Sequence, residues 1–371
     1  MTKCAGCRSK TTMKLWELGS QPLSFEFESG LEAPRINLTL LECSKCGLIQ
    51  LENGLNKKLL NTLPNWVTYQ EPEDHLNELE DLCRAEGVWK EGSKILGLSD
   101  HDSHFLDLIE EKEGIYSDNP LEGIRPNPWE TEKIIDQILE KGSYYDVIVT
   151  RRILEHFENP NQVLMKLHKF GAKKLLIEIP DSGKSLEQGD VTMLWEEHKC
   201  YFSPSSFKNL LTETGWVIKS EWVWEDTQED TRCVLVEPGK GKKIKNDSFI
   251  GVNFKNKVLE NRIGLHSILS NKGTNAIFGV GHRSVAFLNY HHLGQYITSA
   301  YDDHKMKLGR KLPGTDITIK STEDFDPDTA ICLLAMGPSA SKRVREKFSL
   351  KYPTTQFFSI LPDSHFFGLS S

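Results

Sequence analysis

Four cysteines in two C-x-x-C pairs stand out first: Cys4-Ala5-Gly6-Cys7 and Cys43-Ser44-Lys45-Cys46. Two intervening residues let both thiolates of a pair reach one metal ion, and Gly6 and Gly47 relax the turns. Four soft thiolates closing a tetrahedron make a structural zinc set, with no position left for water. A redox pair would need only one such motif, inside a βαβ unit. Cys83, Cys200, Cys233 and Cys332 stand singly and read as small buried apolar side chains.

A second group of residues could handle protons. Glu197-His198-Lys199-Cys200-Tyr201-Phe202-Ser203 brings a carboxylate, an imidazole and a phenol into seven residues. The unperturbed pKa of histidine lies near operating pH, which suits His198 to general-base work. Glu197 could hold hydroxyl groups, and Tyr201 could hydrogen-bond developing negative charge. Taken alone, the same stretch reads equally well as a solvated loop followed by a core aromatic pair. A third group is Gly279-Val280-Gly281, which follows an apolar run and opens a helical pattern. Backbone N–H groups at a helix start suit a phosphate, tight strand–helix packing being the other reading. Asp302 ends the next apolar run, where a carboxylate often meets a ribose or base.

Positioning these residues takes an α/β scaffold. Tyr145 to Thr150 and Lys174 to Pro180 are β-branched or aliphatic runs, and amphipathic helical stretches at about 130–141 and 161–169 precede them. Helical patterns also occupy about 76–92 and 105–109, around short strands at 93–98 and 113–117. Strands alternating with helices of this length imply a parallel, doubly wound sheet. Arg35 to Glu42 alternates as a strand running into the second cysteine pair. After a polar run from Pro238 to Ser248 come a long helix over 252–271 and strands near 275–281, 296–299, 317–319 and 330–334. These make a second α/β unit.

Composition bounds the rest. The 371 residues exceed the size at which one core keeps growing, so two or three domains are expected. A net charge of -8 argues against wrapping nucleic acid by bulk electrostatics. No apolar leader follows Met1 and no window reaches the length of a membrane helix, so a cytoplasmic protein with neither membrane nor nucleic-acid partner is expected. Oligomeric state is open.

The order of these parts resembles the sugar C-methyltransferase family. The resemblance spans the whole chain and rests on three stretches: Cys43-Ser44-Lys45-Cys46-Gly47-Leu48-Ile49-Gln50-Leu51, Glu197 to Ser203, and Leu308-Gly309-Arg310-Lys311-Leu312-Pro313-Gly314-Thr315. Such enzymes methylate a carbon of nucleotide-linked 4-keto-deoxysugars with S-adenosylmethionine. The resemblance implies a zinc-binding head (1–72), a Rossmann-like methyltransferase domain (73–240) and a second Rossmann-like domain holding the nucleotide sugar (241–371). It implies His198 as the base that makes an enolate, with Glu197, Tyr201 and Tyr69 around it. Where the family commonly has a tyrosine three residues before the histidine, this chain has Trp195, which can stack but cannot pass a proton.

On the cofactor side the resemblance implies Gly97, Ser99 and Asp102 in the loop after the first strand, Asp118 for the ribose, and Glu155 in a Glu-His turn. On the substrate side it implies Gly279, Gly281, His282 and Arg283 at the diphosphate, with Asp302 and Arg310 nearby. Only one glycine remains in the cofactor loop. Either the enzyme works with a polar loop, or the scaffold binds a nucleotide sugar or partner enzyme without the methyl donor. A methyltransferase for another small carbonyl acceptor is a further reading. The zinc is expected to be structural, its loss unfolding the head without touching the chemistry directly.

Overall fold

The computed structural model describes residues 2–361 except 55, 61–63, 65, 68–71, 114, 126, 226–228, 247–249 and 271–272. Two alternating segments near the N-terminus, β1 (Thr12–Pro22) and β2 (Arg35–Cys43), pair antiparallel, and β3 (Ile49–Leu51) adds to β2.

The central apolar runs become four parallel strands: β4 (Ile95–Gly97), β5 (Ser117–Asp118), β6 (Val147–Arg151) and β7 (Lys174–Asp181). Every residue of β6 is buried, as expected of a parallel strand covered on both faces. The helix Pro128–Lys141 feeds β6 and shows why such stretches start and stop where they do. Asn127 caps its first N–H groups, proline takes the first turn, and Gly142 ends it at φ 64°. The helical pattern at 76–92 stops sooner than its apolar spacing implied, at Ala85, because Gly87 turns the chain with φ 61°.

The strand β8 (Cys200–Tyr201) leaves this sheet altogether. It pairs with β3, Ile49 opposite Tyr201 and Gln50 opposite Cys200, as the fourth strand of the head. The chain then returns through a hairpin absent from the sequence reading, β9 (Trp216–Trp224) and β10 (Asp230–Pro238), which completes the order β5-β4-β6-β7-β10-β9. A third sheet, all parallel, runs β11 (Thr274–Phe278), β12 (Ile297–Tyr301), β13 (Ile319–Lys320), β14 (Thr329–Leu334) and β15 (Gln356–Ser359) in the order β13-β12-β11-β14-β15.

The hydrophobic cores do not follow the three sequence blocks. One core joins Leu38 and Ile49 of the head, Leu186 and Leu194, Phe254 and Val258 of the helix Ile250–Ser270, and Ile277 and Leu333 of the third sheet. The polar run after Pro238 is also tied down: Asn209 accepts from the Ile244 N–H and donates to the Ile244 carbonyl, and Asn246 donates to the Lys45 carbonyl. No helix among the described residues is long and apolar enough to cross a membrane.

Candidate functional site

The site begins where β6 runs out. Arg152 turns the chain with φ 51°, a left-handed conformation that costs a residue with a side chain roughly 1–2 kcal/mol. Its guanidinium is held by Glu178 at 3.3 Å and by the Thr231 hydroxyl, so β7 and β10 brace the turn. Glu178 is buried, yet Arg151 at 3.0 Å, His75 at 2.9 Å and Arg152 all meet it. Burial works against its charge, but these partners hold its carboxyl well below the usual range. The braced turn delivers Glu155 and His156 on one short helical turn, Leu154–His156.

Facing them is the turn from Trp195 to His198. The His156 and His198 rings meet edge to face at 4.7 Å, and His156 also hydrogen-bonds the Glu197 backbone. Trp195 stacks on His198 at 5.5 Å and 15°. On its other side, at 4.0 Å, lies His282, the first residue of the helix His282–Tyr290. The His282 Nδ1 is 3.6 Å from the Glu196 carboxylate, which in turn accepts from the Ser24 N–H and hydroxyl, both at 2.8 Å. Residues from the head, the central sheet and the third sheet thus converge on four consecutive positions. Burial pushes His156 down to about 4 and His282 down to about 3, and holds His198 well below its ordinary value. All three imidazoles are neutral at pH 7.

The structure rearranges several expected roles. Tyr201 is buried and its hydroxyl donates to the Trp195 carbonyl at 2.9 Å, so the phenol positions the turn. Tyr201→Phe is expected to cost about 1–2 kcal/mol of stability, read by thermal unfolding, by leaving that carbonyl without its donor. Glu155, expected on the cofactor side in a Glu-His turn, lies in that turn, buried beside His156 and His198. His282, expected at a diphosphate, is buried against Trp195 and Glu196 because the first helical turn points its side chain inward. Tyr69 lies outside the described residues. His156, Glu196 and Arg152 had no role in the sequence reading; the only signal for His156 was its place beside Glu155.

In the third sheet, Gly279 has φ 87°, and a Cβ there would lie 3.0 Å from the Ala335 carbonyl oxygen, so glycine is required. Asp302 accepts from the Val280 N–H at 2.8 Å and from Lys307 at 3.2 Å, which fastens the Gly279–Gly281 turn. The Gly281 N–H donates to the Ser284 hydroxyl at 2.9 Å. Arg283, half-buried, sends its charge toward buried Asp190. Arg310 is drawn to the head, paired with Glu28 and lying 5.5 Å over the Trp66 ring.

The four cysteines meet as their spacing predicts. Cys4 and Cys46 sulfurs are 3.5 Å apart and Cys7 and Cys43 sulfurs 3.6 Å. A tetrahedral zinc with bonds near 2.3 Å needs sulfurs about 3.8 Å apart, and a disulfide needs about 2 Å. The donor set fits zinc. A chain of hydrogen bonds leads from it to the site: Ala5 N–H to Gln50 Oε1 (2.8 Å), Leu51 N–H to the Lys199 carbonyl (2.9 Å), Lys199 N–H to the Glu155 carbonyl (2.8 Å).

The loop after β4 is organised by Asp102. Its carboxylate accepts from the N–H groups of Leu98 (2.7 Å), Ser99 (2.8 Å) and Arg151 (2.8 Å). Burial pushes this carboxyl up to about 8, against the pull of Arg151 and the three donors. Asp102 therefore shapes the loop from inside. Ser99 is extended (φ -152°), a conformation that needs no glycine, and its hydroxyl donates to the Arg151 carbonyl at 2.9 Å. Gly97 is required for space: a Cβ would lie 2.8 Å from Leu106 and 3.1 Å from Asn119. Asp118 accepts from the Tyr145 hydroxyl at 2.9 Å, and it is the next residue, Asn119, that reaches the loop, donating to the Ser99 carbonyl at 3.0 Å.

Residues 83–221, which contain this loop and the site turn, match the family model of a methyltransferase domain. The central sheet carries a methyltransferase fold. Solved structures with a similar arrangement include magnesium protoporphyrin IX methyltransferase from Synechocystis PCC 6803 with bound S-adenosylhomocysteine, at 10% identity over 47% of this chain and 91% of that one, TM-score 0.33. Another is 1,6-didemethyltoxoflavin-N1-methyltransferase from Burkholderia thailandensis, at 8% identity over 45% of this chain and 80% of that one, TM-score 0.31. No curated protein matches the sequence. The domain match supports methyl transfer dependent on S-adenosylmethionine and leaves the acceptor open. The loop's residues fit such a donor: it turns at the C-terminal end of β4 beside β6, where open α/β sheets take ligands, with half-exposed Asp100 and Asn119 at its rim.

Proposed function

We propose that the chain is an S-adenosylmethionine-dependent C-methyltransferase acting on the carbon beside the ketone of a nucleotide-linked keto-deoxysugar. The observation that carries this reading is the neutral His156–His198 pair, set 4.7 Å apart between the methyltransferase loop and the third sheet. Methylating carbon beside a ketone requires an enolate, so a proton must leave to a group that is unprotonated at pH 7. Burial keeps both imidazoles in that form. The loop backbone from Gly97, with Asp100 and Asn119, would hold the donor, which supplies an electrophilic methyl group.

The resemblance of Glu197 to Ser203 and Leu308 to Thr315 to sugar C-methyltransferases supports the choice of acceptor. On the nucleotide side, the Gly279–Gly281 turn and half-buried Arg283 suit a diphosphate, while Trp195 stands where a phenol is usual. A structural zinc in the cysteine quartet completes the assignment.

Calorimetry with S-adenosylmethionine tests the donor, and formation of S-adenosylhomocysteine with a thymidine diphosphate-linked 4-keto-6-deoxysugar tests the acceptor. His198→Asn is expected to keep donor affinity and lower turnover at least about a hundredfold. No donor binding at high micromolar concentration would turn the reading to a protein that holds a nucleotide sugar without methylating it.

A further inference from the structure

A second group of metal-ligating side chains lies in the site itself. One ligand atom from each of Glu155, His156 and His198 falls within 4.8 Å of the other two, with His156 Nε2 4.0 Å from the Glu155 carboxylate. We propose that these three residues bind a divalent transition-metal cation and that the acceptor's ketone oxygen takes an open position on it. The role in enolate formation rests on the methyl-transfer reading above; cation binding does not.

Two imidazole nitrogens and one carboxylate oxygen are the donor set of catalytic zinc and of related divalent ions that keep open positions. Bonds of about 2.0–2.2 Å would bring the three atoms to roughly 3.3 Å of one another, a closure of about an ångström that side-chain torsions supply. The supporting contacts are those of a ligand set. His156 also hydrogen-bonds the Glu197 backbone, the outer contact by which a metal-binding histidine is oriented. Lys199 N–H fixes the Glu155 carbonyl at 2.8 Å, and Lys199 directly follows His198, so one strand residue locks both sides of the site.

The chemistry balances. In this arrangement the two imidazoles serve as ligands and a hydroxide on the cation replaces them as the base: it takes the proton from the carbon beside the ketone and becomes water. The C–H electron pair moves into the enolate, whose oxygen stays on the cation. That carbon then attacks the donor methyl, forming the new C–C bond as the methyl–sulfur bond breaks and its electron pair leaves on the sulfur of S-adenosylhomocysteine. The cation would stabilise charge developing on oxygen, a task Trp195 cannot perform in place of a phenol.

Metal analysis of the full chain, stripped with chelator and reloaded with Co2+, tests the site. Two equivalents are expected: one with the intense thiolate-to-cobalt absorption of the cysteine quartet, one with the weaker bands of nitrogen and oxygen ligands. His198→Asn and Glu155→Gln should each retain the thiolate absorption, which reports an intact head, and bind one equivalent. One equivalent in the wild-type chain, or two in both variants, would overturn the proposal. Donor calorimetry is separate: two equivalents without donor binding keep the cation site and sink the methyl-transfer reading.

Discussion

Lowering the pH from 7 to 5 is expected to destabilise the fold by about 4 kcal/mol through two histidines alone. His282 and His291 are both buried, and that burial pushes each down to about 3. The unfolded chain takes up a proton on each near pH 6.5, whereas the folded chain does not until about pH 3. Protons bound by the unfolded state are therefore in excess throughout that window. Stability is fully present above pH 6.5 and is lost progressively as the pH falls toward 3. By pH 5 the loss is about 2 kcal/mol for each group.

Urea midpoints at the two pH values read this directly. His291 is the cleaner probe, because its ring packs edge-on against Phe287 at 4.9 Å, away from the site. His291→Phe fills similar space with nothing to titrate, so about half of the pH-dependent loss should disappear. Equal losses in the variant and the wild-type chain would refute the assignment.

Removing the zinc proposed for the cysteine quartet is expected to dismantle the candidate active site as well as the head. The sequence alone suggested that the two were separable. The structure joins them, because β3 starts three residues after Cys46 and pairs with β8, the strand that follows His198 and Lys199. Apparent zinc-binding energies for small thiolate sites are about 10–16 kcal/mol, far more than a four-stranded sheet holding so short a strand as β8 can replace. Without the metal, β3 loses its anchor, β8 loses its partner, and the turn from Trp195 to His198 loses its register against Glu155. Chelation or Cys46→Ser should thus lower turnover more than about a hundredfold, comparable to losing a proton-transfer group outright. Hydrogen exchange separates this from a remote effect: the Leu51 and Lys199 amides, bonded at 2.9 Å and 2.8 Å to the Lys199 and Glu155 carbonyls, should lose protection together. Protection that persists at Lys199 after the metal has gone would rule the coupling out.

The contrast between these two cases shows where sequence reasoning carries and where it stops. The cysteine pairs were legible because their chemistry is local: two residues between thiols already decide that both can reach one ion, and the fold had only to bring two such pairs together. The parallel strands were legible for a similar reason, since a run such as Val147 to Arg151 has no solvent face in either direction. The hairpin Trp216–Trp224 and Asp230–Pro238 was not, because its pairing depends on an edge that β7 offers only in three dimensions. The loop from Gly97 was legible as a departure in its glycines, but not in its consequence: Asp102 satisfies the loop from within, and only the register of β4 against β6 puts Arg151 in reach to complete it.

The active site lies furthest from what local pattern could decide. His198 was marked by its residue type and neighbours, and the sequence by itself determined that a candidate base, a carboxylate and a cysteine quartet able to hold a metal were present. Their arrangement was decided by burial and by long-range pairing. Tyr201 faces the Trp195 carbonyl because β8 belongs to the head sheet. Glu155 meets His198 because Lys199 ties the two turns together. His282 turns inward from the Gly279–Gly281 loop because the packing of the sheets buries its ring against Trp195. Side-chain identity settles which reactions are available; only the packing of three sheets against one another settles which atoms come within reach, since that packing spends each polar group on the nearest partner that burial leaves it.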